Sequence, residues 1–375
     1  MTTSLYSKLS TVLVLFLVVS SCRKNGPAFC DCKPDDFVAT ASVFSTGFND
    51  PRGLKFGPDG NLYVAEAGVG GTDSSTGCAQ VTPPVGPYKG SLTGSRISRV
   101  SWGGARTTYV DSLPSSINAL GDILGMADVS FIGNTLYGLL AGAGCSHGVP
   151  SVPSSIIKIN PDRSWKIIAD LSAFQMNNPV KTPSAGDFEP DGSWYSMVAV
   201  GGDLYAIEPN HGELDKITKA GNIHRVIDIS ASQGHIVPTA MAFHNGYFYV
   251  GNLDVFPITG KSSIYRISMA GDIHVVDTGF STILGVTFDK AGAMYVLENT
   301  TGNPFPTPGT GDIIRLDPRG GRKAIVTGLN LPTAMTFGPD EKLYVSNWGF
   351  GKGPGGGEVL QIDITCSKDH QSKSK

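Results

Sequence analysis

A tyrosine ends a short apolar run six times along the chain, and each copy lies inside the same larger pattern. A small residue, an apolar residue and a turn precede it, as in Gly53-Leu54 followed by Gly57-Pro58-Asp59-Gly60. A third run with alternating side chains follows it, as in Ile97–Val100. A period of two with β-branched and aromatic residues predicts strands, and the turns suit Pro and Gly. The repeat therefore predicts a ring or array of β units. The six tyrosines are Tyr63, Tyr137, Tyr205, Tyr249, Tyr295 and Tyr344.

A fourth strand follows in five of the copies, for instance at residues 273–276. The sixth copy lacks one because the chain turns polar after Ile364. Residues Val38–Phe44 precede the first copy and have the missing pattern, so we expect them to pair with the last copy. Six four-stranded units joined in this way form an all-β, six-bladed β-propeller closed by an N-terminal strand in the last blade, which hides the sheet edges. We predict a propeller at 38–365 and a polar tail at 366–375.

The first residues predict export. A short start with one lysine, an apolar run at 11–19 and the box Val19-Ser20-Ser21-Cys22 are typical of a bacterial lipoprotein signal. The run is too short for a permanent membrane helix. We predict a signal peptide at 1–21, lipidation of Cys22 and a tether at 22–37, so that the membrane is contacted only through the lipid in the cell envelope. The alternative is an ordinary secretory signal with an incidental cysteine.

The charge balance argues against nucleic acid as a partner. Lys and Arg number 29 against 32 Asp and Glu, which gives a net charge of −3, and no basic cluster appears. Blades of one ring share their cores, so we expect a single domain. We also expect a monomer.

The cysteines form two groups. Cys78 lies in the long insertion of blade 1 and Cys145 in the corresponding connection of blade 2, which the fold brings side by side. Export favours oxidation, so we predict a disulfide between them, with buried free thiols as the alternative. Cys30, Cys32 and Cys366 lie just outside the two ends of the ring. Either one of the first two bonds Cys366, or Cys30 and Cys32 bond each other.

The long connections are all predicted on one face of the ring, which we call the long-loop face. In an antiparallel meander, the connection between the second and third strands emerges on the same side as the connection between blades. Loops on a rigid scaffold are where binding residues concentrate, so we predict a small-molecule or protein ligand at this face. The long connections are residues 67–94, 142–155, 174–193, 253–262, 300–312 and 349–357.

Two rings of residues approach the mouth of the central channel on this face. One precedes each inner strand, and the other stands three positions after each tyrosine. We expect these rings to serve in one of two ways. Oxygen ligands that converge on the axis would bind Ca²⁺, or acid and base groups would surround a polar substrate. The alternative is that the side chains cap strand ends and satisfy loop amides. The binding candidates are Arg52, Glu66, Tyr195, Asn252, Asp254, Glu298, Asn299 and Asn347, and the metal candidates among them are Glu66, Asn252, Glu298 and Asn347.

Other conspicuous residues are given structural roles. His147 and His211 fall in long-loop-face segments, but single scattered histidines are more often structural than ligands. A basic residue recurs in the third strand of five blades, at Arg99, Lys158, Lys216, Arg266 and Arg315, and is predicted to form a solvated blade surface. The chain has no phosphate loop, so nucleotide chemistry lacks support.

Blade 1 resembles the ScyD/ScyE family of exported propellers. The resemblance rests on Pro51–Gly68, Gly70-Gly71, Cys78, Gly86-Pro87-Tyr88 and Thr93–Arg99, and it extends over most of residues 40–364. It implies a secreted propeller of the NHL-like kind and says little about chemistry.

Two enzyme families share this architecture. The chain resembles soluble quinone-dependent sugar dehydrogenases at Gly53-Leu54 and 121–126, but those enzymes have a catalytic histidine soon afterwards, where 127–131 has none. Gluconolactonase-like propellers bind a divalent metal with a carboxylate and amide set at the channel mouth, which the four metal candidates resemble. The sequence therefore predicts a binding or interaction propeller. A metal-assisted hydrolase or lyase on a sugar-like or lactone substrate is the alternative, and a quinone-dependent oxidoreductase is less favoured.

Overall fold

The computed structural model describes residues 32–186, 188–257 and 260–367. In these residues, the strands form six antiparallel sheets of four or five strands, and the protein is an all-β, six-bladed β-propeller, as predicted. The predicted signal peptide, Cys22 and Cys30 lie outside the described residues. The two α-helices are short, and none of the helices in the described segments has the length and apolar character needed to cross a membrane.

The strands follow one another blade by blade along the chain. Blade 1 contains β2 Pro51–Phe56, β3 Leu62–Glu66, β4 Lys89–Val100, β5 Arg106–Ile117 and the short β6 Ile123–Leu124. Blade 2 contains β7 Met126–Ile132, β8 Thr135–Leu140, β9 Ser155–Ile159 and β10 Trp165–Asp170. Blade 3 contains β11 Ser196–Val200, β12 Asp203–Glu208, β13 Glu213–Ile217 and β14 Ile223–Asp228.

The second half of the ring repeats the same order. Blade 4 contains β15 Pro238–His244, β16 Tyr247–Asn252, β17 Ser262–Ser268 and β18 Ile273–Phe280. Blade 5 contains β19 Ile283–Phe288, β20 Met294–Glu298, β21 Gly311–Leu316 and β22 Arg322–Leu329. Blade 6 contains β23 Ala334–Phe337, β24 Leu343–Asn347, β25 Gly357–Cys366 and β1 Phe37–Phe48. Helix α1 is Leu171–Asn177, helix α2 is Ser230–Gln233, and 3₁₀ turns lie at Pro34–Asp36 and Cys145–His147.

The N-terminal strand closes the ring. Strand β1 pairs antiparallel with β25, with Val38 opposite Thr365 and Val43 opposite Leu360, so the predicted closure is confirmed. A disulfide between Cys32 and Cys366 joins the same two ends across 334 residues of sequence. Of the two pairings that the sequence left open, the structure therefore has the bond to Cys366.

In blades 1, 5 and 6, the repeated tyrosine binds the turn of its own blade. The Tyr295 hydroxyl donates to Asp289 at 3.1 Å, and the tyrosines of blades 1 and 6 make the equivalent bond to Asp59 and Asp340. Tyr295 also lies opposite Arg315 in the neighbouring strand, and the guanidinium donates to its hydroxyl. Arg315 is buried, because it stacks on the Phe37 ring and pairs with an aspartate. The predicted solvated surface is therefore wrong for Arg315.

The hydrophobic core lies between blades. Tyr63, Ile97 and Leu113 of blade 1 pack against Met126 and Leu140 of blade 2, and the other apolar clusters join neighbouring blades in similar ways. Every blade is thus held by two neighbours, which makes the ring a rigid support for the loops at its ends.

Candidate ligand-binding face

A disulfide joins the insertions of blades 1 and 2 on the long-loop face. Cys78 lies between β3 and β4, Cys145 lies between β8 and β9, and their Cα atoms are 6.3 Å apart. The predicted bridge is confirmed. The two disulfides of the described residues are typical of proteins from an oxidising, exported location.

A buried hydrogen-bond network ties the same loops to the connection between blades 2 and 3. The Tyr88 hydroxyl donates to Glu189 Oε1 at 3.0 Å, and His147 Nε2 lies 3.3 Å from Glu189 Oε2. His211, from the β12–β13 turn of blade 3, donates from Nε2 to the backbone carbonyl of Glu189 at 3.1 Å. All four side chains are at most 4% exposed, so solvent does not reach the network. Glu189 therefore joins loops from three blades, through its carboxylate and its backbone carbonyl.

Asp191 makes a second contact between the same segments. Its carboxylate accepts hydrogen bonds from the Ser146 backbone N–H at 2.7 Å and the Ser146 hydroxyl at 2.6 Å. Gly144 has a φ of 100° and packs so tightly on Asp191 that a Cβ there would lie 2.2 Å from the carboxyl carbon. The turn that carries Cys145 and His147 is thus fixed to the connection on both sides. Glu189 and Asp191 had no periodic signal in the sequence, because they lie in an irregular segment.

Two of the predicted residues make hydrogen bonds at the channel mouth. The Tyr195 hydroxyl donates to the Thr333 carbonyl at 3.0 Å and so crosses from blade 3 to the opposite blade 6. The Arg52 guanidinium donates to the Asp122 carboxylate at 3.1 Å and to the Ile123 carbonyl at 2.7 Å. Beside them lies a pocket of about 20 Å³, large enough for a water molecule but not for a sugar.

Two aspartates that the sequence did not select lie at the inner end of the blades. Burial raises the pKa of Asp50 to about 6, although the nearby Arg52 guanidinium opposes the shift. Burial also raises the pKa of Asp128 to about 6, against the opposing charge of Lys55 and the N–H groups of Met197 and Val129. Burial raises the pKa of Tyr195 to about 12, so its hydroxyl remains a donor at neutral pH. Asp50 is thus an acid or base candidate at the mouth.

The metal candidates are used as loop caps. Glu298 accepts the Ser281 N–H at 2.6 Å, and Glu66 and Asn347 accept the equivalent backbone N–H 17 residues earlier, in the connection that precedes each blade. Asn252 accepts the Ser263 N–H at 2.7 Å and donates to a backbone carbonyl. Each of the four side chains thus accepts a backbone hydrogen bond, which is the role that the alternative of strand-end and loop caps predicts. Nowhere in the described residues do three His, Cys, Asp or Glu side chains come close enough to share a metal ion.

The remaining two binding candidates differ in exposure. Asn299 is 2% exposed and donates to the Pro332 carbonyl at 2.8 Å, so it links blade 5 to blade 6. Asp254 is partly exposed, has a φ of 67° and accepts the Val255 N–H at 2.7 Å. Of these two, only Asp254 offers oxygen to solvent on the long-loop face.

Large apolar side chains are exposed on the long-loop face. The extreme cases are Phe305, at 71% exposure in the blade 5 insertion, and Leu120, at 67% in the β5–β6 connection of blade 1. The set comes from blades 1, 4 and 5 and from the connection between blades 2 and 3, so it is not confined to a single blade. Its members are Val69, Leu92, Leu120, Met176, Phe188, Val255 and Phe305.

Comparison with known proteins supports the fold. No protein family model matches the chain, and no curated protein sequence matches it. A Bacteroides thetaiotaomicron protein of unknown function aligns with a TM-score of 0.55 at 10% identity, over 88% of this chain and 76% of its own. A gluconolactonase from Xanthomonas campestris aligns with a TM-score of 0.53 at 10% identity, over 87% and 90%. A putative glucose dehydrogenase from Thermus thermophilus aligns with a TM-score of 0.53 at 15% identity, over 87% and 100%. At such identities the likeness shows the propeller fold alone.

Proposed function

We propose that the protein is an envelope-anchored, exported propeller of the ScyD/ScyE type that binds a partner protein through its long-loop face. The observation that carries the proposal is the combination of exposed apolar side chains with loops that are locked together. Phe305 and Leu120 project from this face, while the Cys78–Cys145 bridge and the Glu189 network hold the loops of blades 1 to 3. Exposed apolar surface is typical of interaction sites.

Rigid loops favour binding because little conformational entropy is lost when the partner docks. The pocket beside Arg52 and Tyr195 has room for water only, which favours a surface contact over a small molecule enclosed in the channel. The mature protein is expected to carry its anchor at Cys22, so that the partner belongs to the same envelope compartment.

Site-specific photo-crosslinking in the native envelope tests this proposal. A photoreactive phenylalanine analogue placed at Phe305 or Leu120 is expected to give a discrete crosslinked product. The matched controls are Trp102 and Met269, which are 49% and 48% exposed but lie in turns on the opposite face. Equal crosslinking from both faces, or none from Phe305 and Leu120, contradicts the proposed face.

A second candidate function is that of a hydrolase or lyase that acts on a lactone or sugar-like substrate. It is favoured by Asp50, a buried carboxyl group with a pKa near 6 beside the Arg52 guanidinium, since a general acid or base works best with such a value. The test is the hydrolysis rate of glucono-δ-lactone with and without added Ca²⁺, compared with Asp50→Asn. A rate no faster than that in buffer eliminates activity on this lactone, and a wild-type rate in Asp50→Asn eliminates the role of Asp50.

A further inference from the structure

The contacts of His147 require one extra proton in the buried network. Its Nδ1 lies 2.7 Å from the Ala143 carbonyl oxygen. A carbonyl oxygen only accepts hydrogen bonds, so Nδ1 carries a hydrogen. The other nitrogen, Nε2, lies 3.3 Å from Glu189 Oε2. An ionised carboxylate also only accepts, so a neutral His147 would place a lone pair against a carboxylate oxygen.

The other Glu189 oxygen does not supply that proton. Oε1 accepts from the Tyr88 hydroxyl, and burial together with the neighbouring Glu189 raises the pKa of Tyr88 well above 10. Tyr88 therefore remains a donor and leaves Oε2 facing His147. Whether imidazolium meets carboxylate or imidazole meets carboxylic acid, one proton lies between Nε2 and Oε2.

The surroundings make this proton important for structure. His147 is 0% and Glu189 4% exposed, so water cannot replace the missing hydrogen bond if the proton leaves. The other ionisable groups of the neighbourhood in the described residues are Tyr88, His211, Asp191, Asp122, which acts on Tyr88, and Glu208, which accepts the His211 backbone N–H. His211 bonds the Glu189 carbonyl, and the Asp191 carboxylate is occupied by Ser146. An unpartnered acceptor pair in a buried site is strongly destabilising.

We propose that the proton shared by His147 and Glu189 is a pH-sensitive latch that holds the connection between blades 2 and 3 against the loops of blades 1 and 2. With the proton, the loops form one rigid surface. When base removes it, Nε2 and Oε2 repel, and the connection separates from the turn that carries Cys145. The latch concerns loop order itself, whereas its control of partner access depends on the proposed function.

Glu189→Gln is the discriminating variant. A glutamine amide oxygen accepts from Tyr88, and its NH₂ group donates to Nε2 of a neutral His147. The network is then satisfied without the extra proton. His147→Gln, in contrast, removes the ring and its two opposed hydrogen bonds, so the latch is lost whatever the pH.

Hydrogen–deuterium exchange of the full-length protein tests the latch without any partner. The reporter is the Ser146 N–H, which is bonded to Asp191. Wild type and variants are compared at the same pH, so intrinsic exchange rates cancel. From pH 6 to pH 9 we expect the wild-type protection factor to fall about tenfold or more, that of Glu189→Gln to stay nearly constant, and that of His147→Gln to be low throughout. Amides of β20 in blade 5 control for global unfolding and should keep their protection.

Three outcomes overturn the latch. The first is a wild-type protection factor at Ser146 that does not change with pH. The second is a Glu189→Gln protein that loses protection as steeply as wild type, and the third is a His147→Gln protein that stays protected. Because the readout requires no binding, the latch can fail while the proposed interaction face stands, and the reverse.

Discussion

The Tyr195 hydroxyl bonds the Thr333 carbonyl oxygen at 3.0 Å, which joins opposite blades across the channel. We expect Tyr195→Phe to lose about 1 kcal/mol of unfolding free energy, because one hydrogen bond is removed and a carbonyl is left unpaired. Urea denaturation measures the loss. Tyr247→Phe, at a tyrosine that is 37% exposed, is the control and should be nearly neutral. Equal stability of both variants would show that the cross-channel bond contributes nothing.

The disulfide of the long-loop face makes a testable contribution to stability. It closes a loop of 67 residues, and the resulting loss of chain entropy in the unfolded state stabilises the fold by about 4 kcal/mol. Cys78→Ser and Cys145→Ser should each lower the unfolding free energy by that order, and the double variant should lower it no further. Additive losses in a denaturant titration of the oxidised proteins would contradict the bridge.

Calcium distinguishes the cap from the ligand at Glu298. Since Glu298 accepts the Ser281 N–H, we expect Glu298→Gln to change the unfolding free energy by no more than about 1 kcal/mol, because the amide oxygen also accepts. We also expect excess Ca²⁺ to leave Tm unchanged in both proteins. Calorimetry with and without Ca²⁺ measures both effects. A rise in Tm that Glu298→Gln weakens would instead establish a calcium site there.

Asp215 predicts a stability that falls as the pH rises. It is 0% exposed, and neither carboxylate oxygen has a hydrogen-bond partner among the residues that the structure describes. Burial, and secondarily the neighbouring Glu213, raise the pKa of Asp215 well above its ordinary value of 3.8. A carboxyl whose pKa is raised on folding costs nothing while it is protonated in both states. The cost then grows as the pH rises from the unfolded pKa toward the folded one, by about 1.4 kcal/mol per unit.

The corresponding substitution is Asp215→Asn, which removes the ionisation but keeps the shape. It should raise Tm relative to wild type at pH 8 and lose this advantage near pH 4. Asp363→Asn, at an exposed position in β25, is the control and should change Tm little. An Asp215→Asn protein that is less stable than wild type at pH 8 would refute the prediction.

The sequence predicted the ring because the information is local and repeated. A turn, a tyrosine strand and an alternating strand recur in each blade, and their physical causes lie within a few residues of one another. The missing strand of the last copy also identified its substitute at the N-terminus, since an unpaired edge is unfavourable. Cys78 and Cys145 could be paired because the same topology places their loops together.

The same argument from the repeat predicted less about the roles of the residues in the candidate site. Glu66 and Glu298 recur at one position of the repeat, but periodicity does not distinguish a ligand from a cap, and the backbone N–H that each accepts is fixed by loop geometry. Arg315 was predicted to be solvated because charged residues in the third strand of a blade are usually exposed. In the structure, the Phe37 ring from the closing strand covers it.

Repetition in the sequence by itself determined the all-β class, the number of blades and the face that carries the long loops. The reason is that the same local strand and turn preferences recur in each blade. Only the tertiary structure decided which side chains in the irregular loops meet. Tyr88, His147 and Glu189 come from three segments separated by 101 residues at the extremes, and they form one buried network. Such contacts depend on how closed blades bring non-repeating loops together, and no local propensity encodes them.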